Sequence, residues 1–147
     1  MSRKIYFDMD GTLADFYGIS EWQKYLNNYN PLPYIQAKPL FNMRVLARLL
    51  NKLLKQGKEI YIISWLSKNT NTNFDAAVKA AKLQWLKKHL KSVHFTDIYI
   101  IPYGTPKNLY GNGVLFDDEE KNRVNWGDNA FEPKDIIKLL KEYSKEN

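Results

Sequence analysis

Four short apolar runs limit what this 147-residue chain can become. They are Lys4–Phe7, Glu59–Ile63, Asp97–Ile101 and Gly113–Phe116. Each is too short for a stable helix and is rich in Ile, Val, Tyr or Phe, as strands buried in a parallel sheet are. Between them lie longer stretches with helical spacing. Val45, Leu46, Leu49, Leu50, Leu53 and Leu54 form one stripe over Asn42–Gln56, and Gly57 follows as a helix stop. A second helix is expected from a cap at Asn73 or Asp75 to about Leu90, with Ala77, Ala81 and Trp85 on one side. A last one is expected to start at Pro133 and to bury Ile136, Ile137, Leu140 and Tyr143. Strands that alternate with helices predict an α/β, Rossmann-like fold, a parallel sheet flanked by helices.

Residues 16–40 break the alternation. Aromatic residues and asparagines crowd there, and Pro31, Pro33 and Pro39 interrupt regular structure. The stretch reads as a small cap inserted after the first strand, with one short helix near Glu21–Asn28. No repeat, low-complexity tract or linker divides the rest, so residues 1–147 are expected to form a single domain.

In open parallel sheets, ligands bind beyond the C-terminal ends of the strands. Asp8, Ser64 and the pair Asp117-Asp118 each follow a predicted strand. Residues far apart in sequence are therefore expected to meet. The chain has no cysteine, which excludes disulfides, zinc–thiolate sites and thiol catalysis. Neither histidine lies near the strand ends, so no histidine metal site is expected. The net charge of +6 suits an anionic ligand but equally describes helices with solvated lysine faces.

Asp8-Met9-Asp10-Gly11-Thr12 carries the most specific chemistry. A carboxylate at a strand end can attack phosphorus and form an aspartyl-phosphate. A second one two residues on can protonate the leaving oxygen and then activate water. Carboxylate and phosphate repel, so a hard cation is required, and carboxylates suit Mg2+. Ser64 could donate a hydroxyl to phosphate, and Trp65 could wall the pocket. Lys107, in the loop Pro102–Lys107 that suits a reaching side chain, is one candidate cationic partner, and Lys121 and Lys68 are its rivals. Asp117 and Asp118 are candidate metal ligands, Asp117 the favoured direct one. A helix cap with an acidic first turn explains that pair too.

Asp8-Met9-Asp10-Gly11-Thr12-Leu13-Ala14-Asp15-Phe16 resembles the first motif of haloacid dehalogenase (HAD) superfamily phosphatases. More narrowly it is similar to that of the 5'(3')-deoxyribonucleotidases, and the compact chain resembles small phage and bacterial HAD proteins. The resemblance implies Asp8 as nucleophile, Asp10 as acid and base, and Lys107 as the neutralising lysine. It implies a magnesium site built from Asp8, the Asp10 main-chain carbonyl, Asp117 and Asp118. Gly11, Thr12, Phe16, Ser64 and Trp65 are expected to contact substrate. Lys82, Trp85 and His89 look like the helix that follows the second motif in deoxyribonucleotidases.

The expected substrate is a small phosphate ester, a (deoxy)nucleoside monophosphate, with Phe16 the best candidate for touching the base. Phosphatase action on nucleic-acid 3' ends or on sugar phosphates is the alternative. A non-catalytic binding or regulatory protein on the same fold is another. No run reaches the ~18 apolar residues that span a bilayer. Only Ile5, Tyr6 and Phe7 lie between the basic start and Asp8, too few for a signal peptide, so a cytoplasmic location is expected.

Overall fold

The computed structural model describes residues 3–146. Its main sheet has five parallel strands in the order β5-β4-β1-β6-β7. They are β1 (Lys4–Phe7), β4 (Glu59–Trp65), β5 (Asp97–Ile101), β6 (Val114–Phe116) and β7 (Ala130–Phe131). β1 lies at the centre, paired with β4 on one side and β6 on the other. The alternation of side chains along each strand supplies two cores. Ile5, Phe7, Ile60, Ile62, Val114 and Phe116 face one way. There they meet Leu46, Leu50 and Leu53 of α3 (Met43–Lys55), Trp85 and Leu86 of α4 (Thr72–His89), and Ile136 and Leu140 of α6 (Ile136–Tyr143). Tyr6, Tyr61, Ile63, Ile101 and Leu115 face the other way, under Trp126 of α5 (Glu120–Trp126). On that face Tyr6 and Tyr61 stack with ring centroids 4.4 Å apart.

The insert leaves and rejoins this body through a short antiparallel pair, β2 (Ala14–Asp15) with β3 (Lys38–Pro39). Between them lie α1 (Trp22–Asn27) and α2 (Leu32–Gln36). Phe16, Leu26 and Tyr34 form the insert's core and rest on Phe74, Val78 and Ala81 of α4.

Several boundaries differ from the sequence expectation. β4 does not stop before Ser64, because Ser64 and Trp65 still pair with Ile100 and Ile101. α4 is capped by Asn71, not Asn73 or Asp75; the Asn71 backbone is extended and its side-chain oxygen accepts from Phe74 N at 2.7 Å. Asp75 sits inside the first turn and accepts from the Thr70 hydroxyl at 2.6 Å. Pro33 sits in the first turn of α2 where a break is expected, since a first-turn proline loses no helical hydrogen bond. Pro133 opens a single 3-10 turn ahead of α6. α5 and the edge strand β7 are additional elements. No helix among the described residues is long and apolar enough to cross a membrane.

Candidate active site

Asp8 stands one residue beyond the central strand, where its amide donates to Phe116 O at 3.0 Å. The chain then turns sharply. Met9 O accepts from the amides of Thr12, Leu13 and Ala14 at 2.9–3.1 Å. Gly11 holds φ at +79°, a left-handed conformation that suits glycine. A Cβ there would also stand 2.3 Å from Asp118 Oδ2. The turn thus brings the backbone after Asp10 against the acidic pair after β6. Thr12, expected at the substrate, is fully buried instead. Its hydroxyl donates to Asp8 Oδ2 at 3.0 Å and accepts from Asp118 N at 3.1 Å, so it ties two carboxylate-bearing segments together.

Lys107 reaches the same point from the opposite side. It is buried, with Nζ 2.9 Å from Asp8 Oδ1 and 2.6 Å from Asp117 Oδ2. Burial opposes its charge, but Asp8 and Asp117 outweigh burial and hold its pKa above the ordinary value. Of the two rival lysines, Lys68 is exposed at the cavity wall and Lys121 is exposed on α5.

Asp117 accepts from Glu119 N at 2.9 Å and from Asn122 Nδ2 at 3.1 Å, besides Lys107. Asp118 has a more open side chain. Oxygens of Asp8, Asp117 and Asp118 lie within 4.8 Å of one another. Burial, then the neighbouring Asp8 charge, pushes Asp117 up to about 6 and Asp118 up to about 8. Three crowded carboxylates form an all-oxygen donor set, which fits a hard cation such as Mg2+. The Asp10 carboxylate lies outside this trio.

Asp10 points instead to Lys82, which the sequence marks only as part of the helix after the second motif and not as a site residue. Lys82 of α4 is buried, and its Nζ lies 2.9 Å from Asp10 Oδ2, 2.5 Å from Ser64 Oγ and 2.8 Å from Trp65 O. Burial raises the Asp10 pKa and Lys82 pulls against it. Ser64 is fully buried within β4, its Oγ accepting from Lys82. A lysine midway along a charged helix reads as solvated, so its sequence carries little signal. Its place one turn before the core residue Trp85 is the hint.

A cavity of about 770 Å3 opens above these groups and is lined by Asp8, Asp10, Lys107, Asp117 and Asp118. Phe16, Tyr17, Trp22 and Tyr34 form the wall on the insert side. Trp65 and Tyr103 form the other, their centroids 5.0 Å apart, with Trp65 Nε1 donating to Thr105 O at 2.8 Å. Phe16 reaches the wall but is 3% exposed, packed on Tyr34 at 4.6 Å and Trp22 at 5.3 Å. Tyr17, 52% exposed and edge-on to both Phe16 and Trp22, offers far more surface to a ligand. His89 packs against Trp85 at 4.5 Å, outside the cavity lining.

No family model and no curated protein matches the sequence. Solved structures do resemble the fold. The D,D-heptose 1,7-bisphosphate phosphatase from Burkholderia thailandensis is similar with a TM-score of 0.61, over 99% of this chain and 100% of that one, at 10% identity. The D,D-heptose 1,7-bisphosphate phosphatase from B. bronchiseptica, solved with magnesium and phosphate, gives 0.50 over 84% and 74%, at 14% identity. At such identities the likeness establishes the scaffold. This chain has the parallel α/β fold of these phosphatases, the HAD-type fold expected from its sequence.

Proposed function

We propose that the chain is a magnesium-dependent phosphomonoesterase that works through an aspartyl-phosphate on Asp8. One observation carries this reading. Asp8, Asp10, Lys107, Asp117 and Asp118, from three separate segments, line one cavity at the C-terminal edge of the central strand. The phosphatases that share the fold, one of them solved with magnesium and phosphate, support it.

Asp8, with Asp117 and Asp118, would hold Mg2+, and the Asp10 carbonyl would be a further ligand. The bound ion would offset the repulsion between carboxylates and a phosphate dianion. Lys107 fixes Asp8 by a bond to one oxygen, while Thr12 fixes the other. An Asp8 oxygen attacks phosphorus, the bond from phosphorus to the ester oxygen breaks, and Asp10 gives that oxygen a proton. Asp10 then takes a proton from water, the water oxygen attacks phosphorus, and the Asp8–phosphorus bond breaks. Inorganic phosphate and the original carboxylate result. Fixed charges placed before the reaction supply most of the stabilisation in such transfers.

Within this reading the substrate is a (deoxy)nucleoside monophosphate. Tyr17 and Trp22 on one wall, and Trp65 and Tyr103 on the other, offer ring faces and edges at which a base can stack. A sugar phosphate is the second reading, favoured by the two heptose bisphosphate phosphatases. Phosphate release in magnesium from a panel of nucleoside 5'- and 3'-monophosphates, sugar phosphates and a 3'-phosphorylated oligonucleotide separates these. Asp8→Asn keeps the shape and removes the nucleophile, so turnover should fall at least ~10⁴-fold. Undiminished release by that variant overturns the mechanism.

A further inference from the structure

Lys82 is 1% exposed, on a helix that otherwise supplies packing. An ammonium has three N–H donors, and here each has its own acceptor: Asp10 Oδ2, Ser64 Oγ and Trp65 O. The Tyr34 ring lies 5.0 Å from the same nitrogen. Burying a charge is costly, and an apolar side chain of equal volume usually serves stability as well or better. The charge therefore calls for a reason beyond the fold.

The acceptors give that reason. Asp10 belongs to the turn after β1, whereas Ser64 and Trp65 belong to the end of β4. One nitrogen locks the two segments in register beside Asp8. It occupies Asp10 Oδ2 and leaves Oδ1 with no protein donor among the described residues, while Asp10 lines the cavity. It also fills a lone pair of Ser64 Oγ, so that hydroxyl has its hydrogen left to give.

We propose that Lys82 is a positioning residue that orients Asp10, so that Oδ1 exchanges the proton with the leaving oxygen and then with water. This rests on the phosphatase reading above. It differs from the role of Lys107, which holds the nucleophile. Lys82 acts only through its partners and touches no reacting atom.

Leaving groups provide the test. An alkoxide needs a proton to depart, whereas p-nitrophenolate departs without one. Wild-type and Lys82→Met proteins are compared on p-nitrophenyl phosphate and on an alkyl phosphate monoester that the wild type hydrolyses, with magnesium. Lys82→Met is expected to lower kcat on the alkyl ester ~100-fold with KM unchanged, and to lower kcat/KM on p-nitrophenyl phosphate only about 5-fold. In an Asp10→Asn background the same substitution should cost less than about 2-fold more on the alkyl ester, because its partner is already gone. Equal losses on both esters, or full additivity with Asp10→Asn, overturn the proposal. Circular dichroism checks the fold; if Lys82→Met is unfolded, Lys82→Gln is read by the same comparison. A wild type silent on every ester, by contrast, rejects the phosphatase reading itself.

Discussion

Asp8, Asp117 and Asp118 crowd together, and burial with the neighbouring charges pushes Asp117 up to about 6 and Asp118 up to about 8, against an ordinary 3.8. The folded protein therefore keeps protons that the unfolded chain has released above about pH 4. With more protons bound to the folded state, stability falls as pH rises from about 4 towards 8. Without metal, the urea midpoint is expected to be lower at pH 8 than at pH 5.5. Asp118→Asn, uncharged throughout, should flatten this slope, and magnesium at pH 8 should raise the midpoint. An unchanged slope in Asp118→Asn would reject that assignment. Gly11→Ala forces a side chain into a left-handed turn and against Asp118, so it should cost ~1–3 kcal/mol in urea unfolding and at least ~10-fold in turnover. At this scale Asp8, Asp10 and the acidic pair stand out in the sequence because carboxylates after apolar strands are conspicuous. Lys82 does not, because a lysine's surroundings decide whether it is solvated or buried. Thr12 is legible as a motif residue, but its hydroxyl serves the two carboxylates beside it.

α4 joins the two halves of the site. Phe74, Val78 and Ala81 meet the insert, Trp85 and Leu86 meet the sheet, and Lys82 lies between them. Trp85 also donates its Nε1 to Ala37 O at 2.7 Å, where the insert returns. Trp85→Phe leaves that buried carbonyl without its partner, which should cost about 1–3 kcal/mol in urea unfolding. A loss under about 0.5 kcal/mol would mean that water replaces the indole, against the buried reading. The long elements are legible because periodicity accumulates with length, as the stripe from Leu46 to Leu53 does. Short ones escape for the same reason. β7 has only two residues, and α5 hides behind an acidic run that equally suits a loop. The insert's prolines mislead because Pro33 falls where a helix begins.

In the whole molecule β1 is flanked by strands on both sides and enclosed by two cores, whereas α1 and α2 rest on a smaller one. Amide hydrogen exchange should proceed last in β1 and β4 and earlier in α1 and α2. Equal protection of the two regions would contradict the separate cores. The parallel pairing of the strands follows from the αβ alternation, but which strand lies at the centre does not. That choice depends on how the crossovers close, and no single residue encodes it. The two-residue pair of β2 with β3 brings the start and finish of the insert side by side, Asp15 opposite Lys38. The insert thus departs from the sheet and returns to it at one narrow stem, while its core rests on α4. The stem fixes where the insert begins and finishes, and the shared core with Phe74, Val78 and Ala81 fixes how it lies over the cavity. The wall of the cavity is thus tied to the carboxylate cluster by two residue pairs, Asp15 with Lys38 at one level and Ala14 with Pro39 at the next, and braced from behind by a helix.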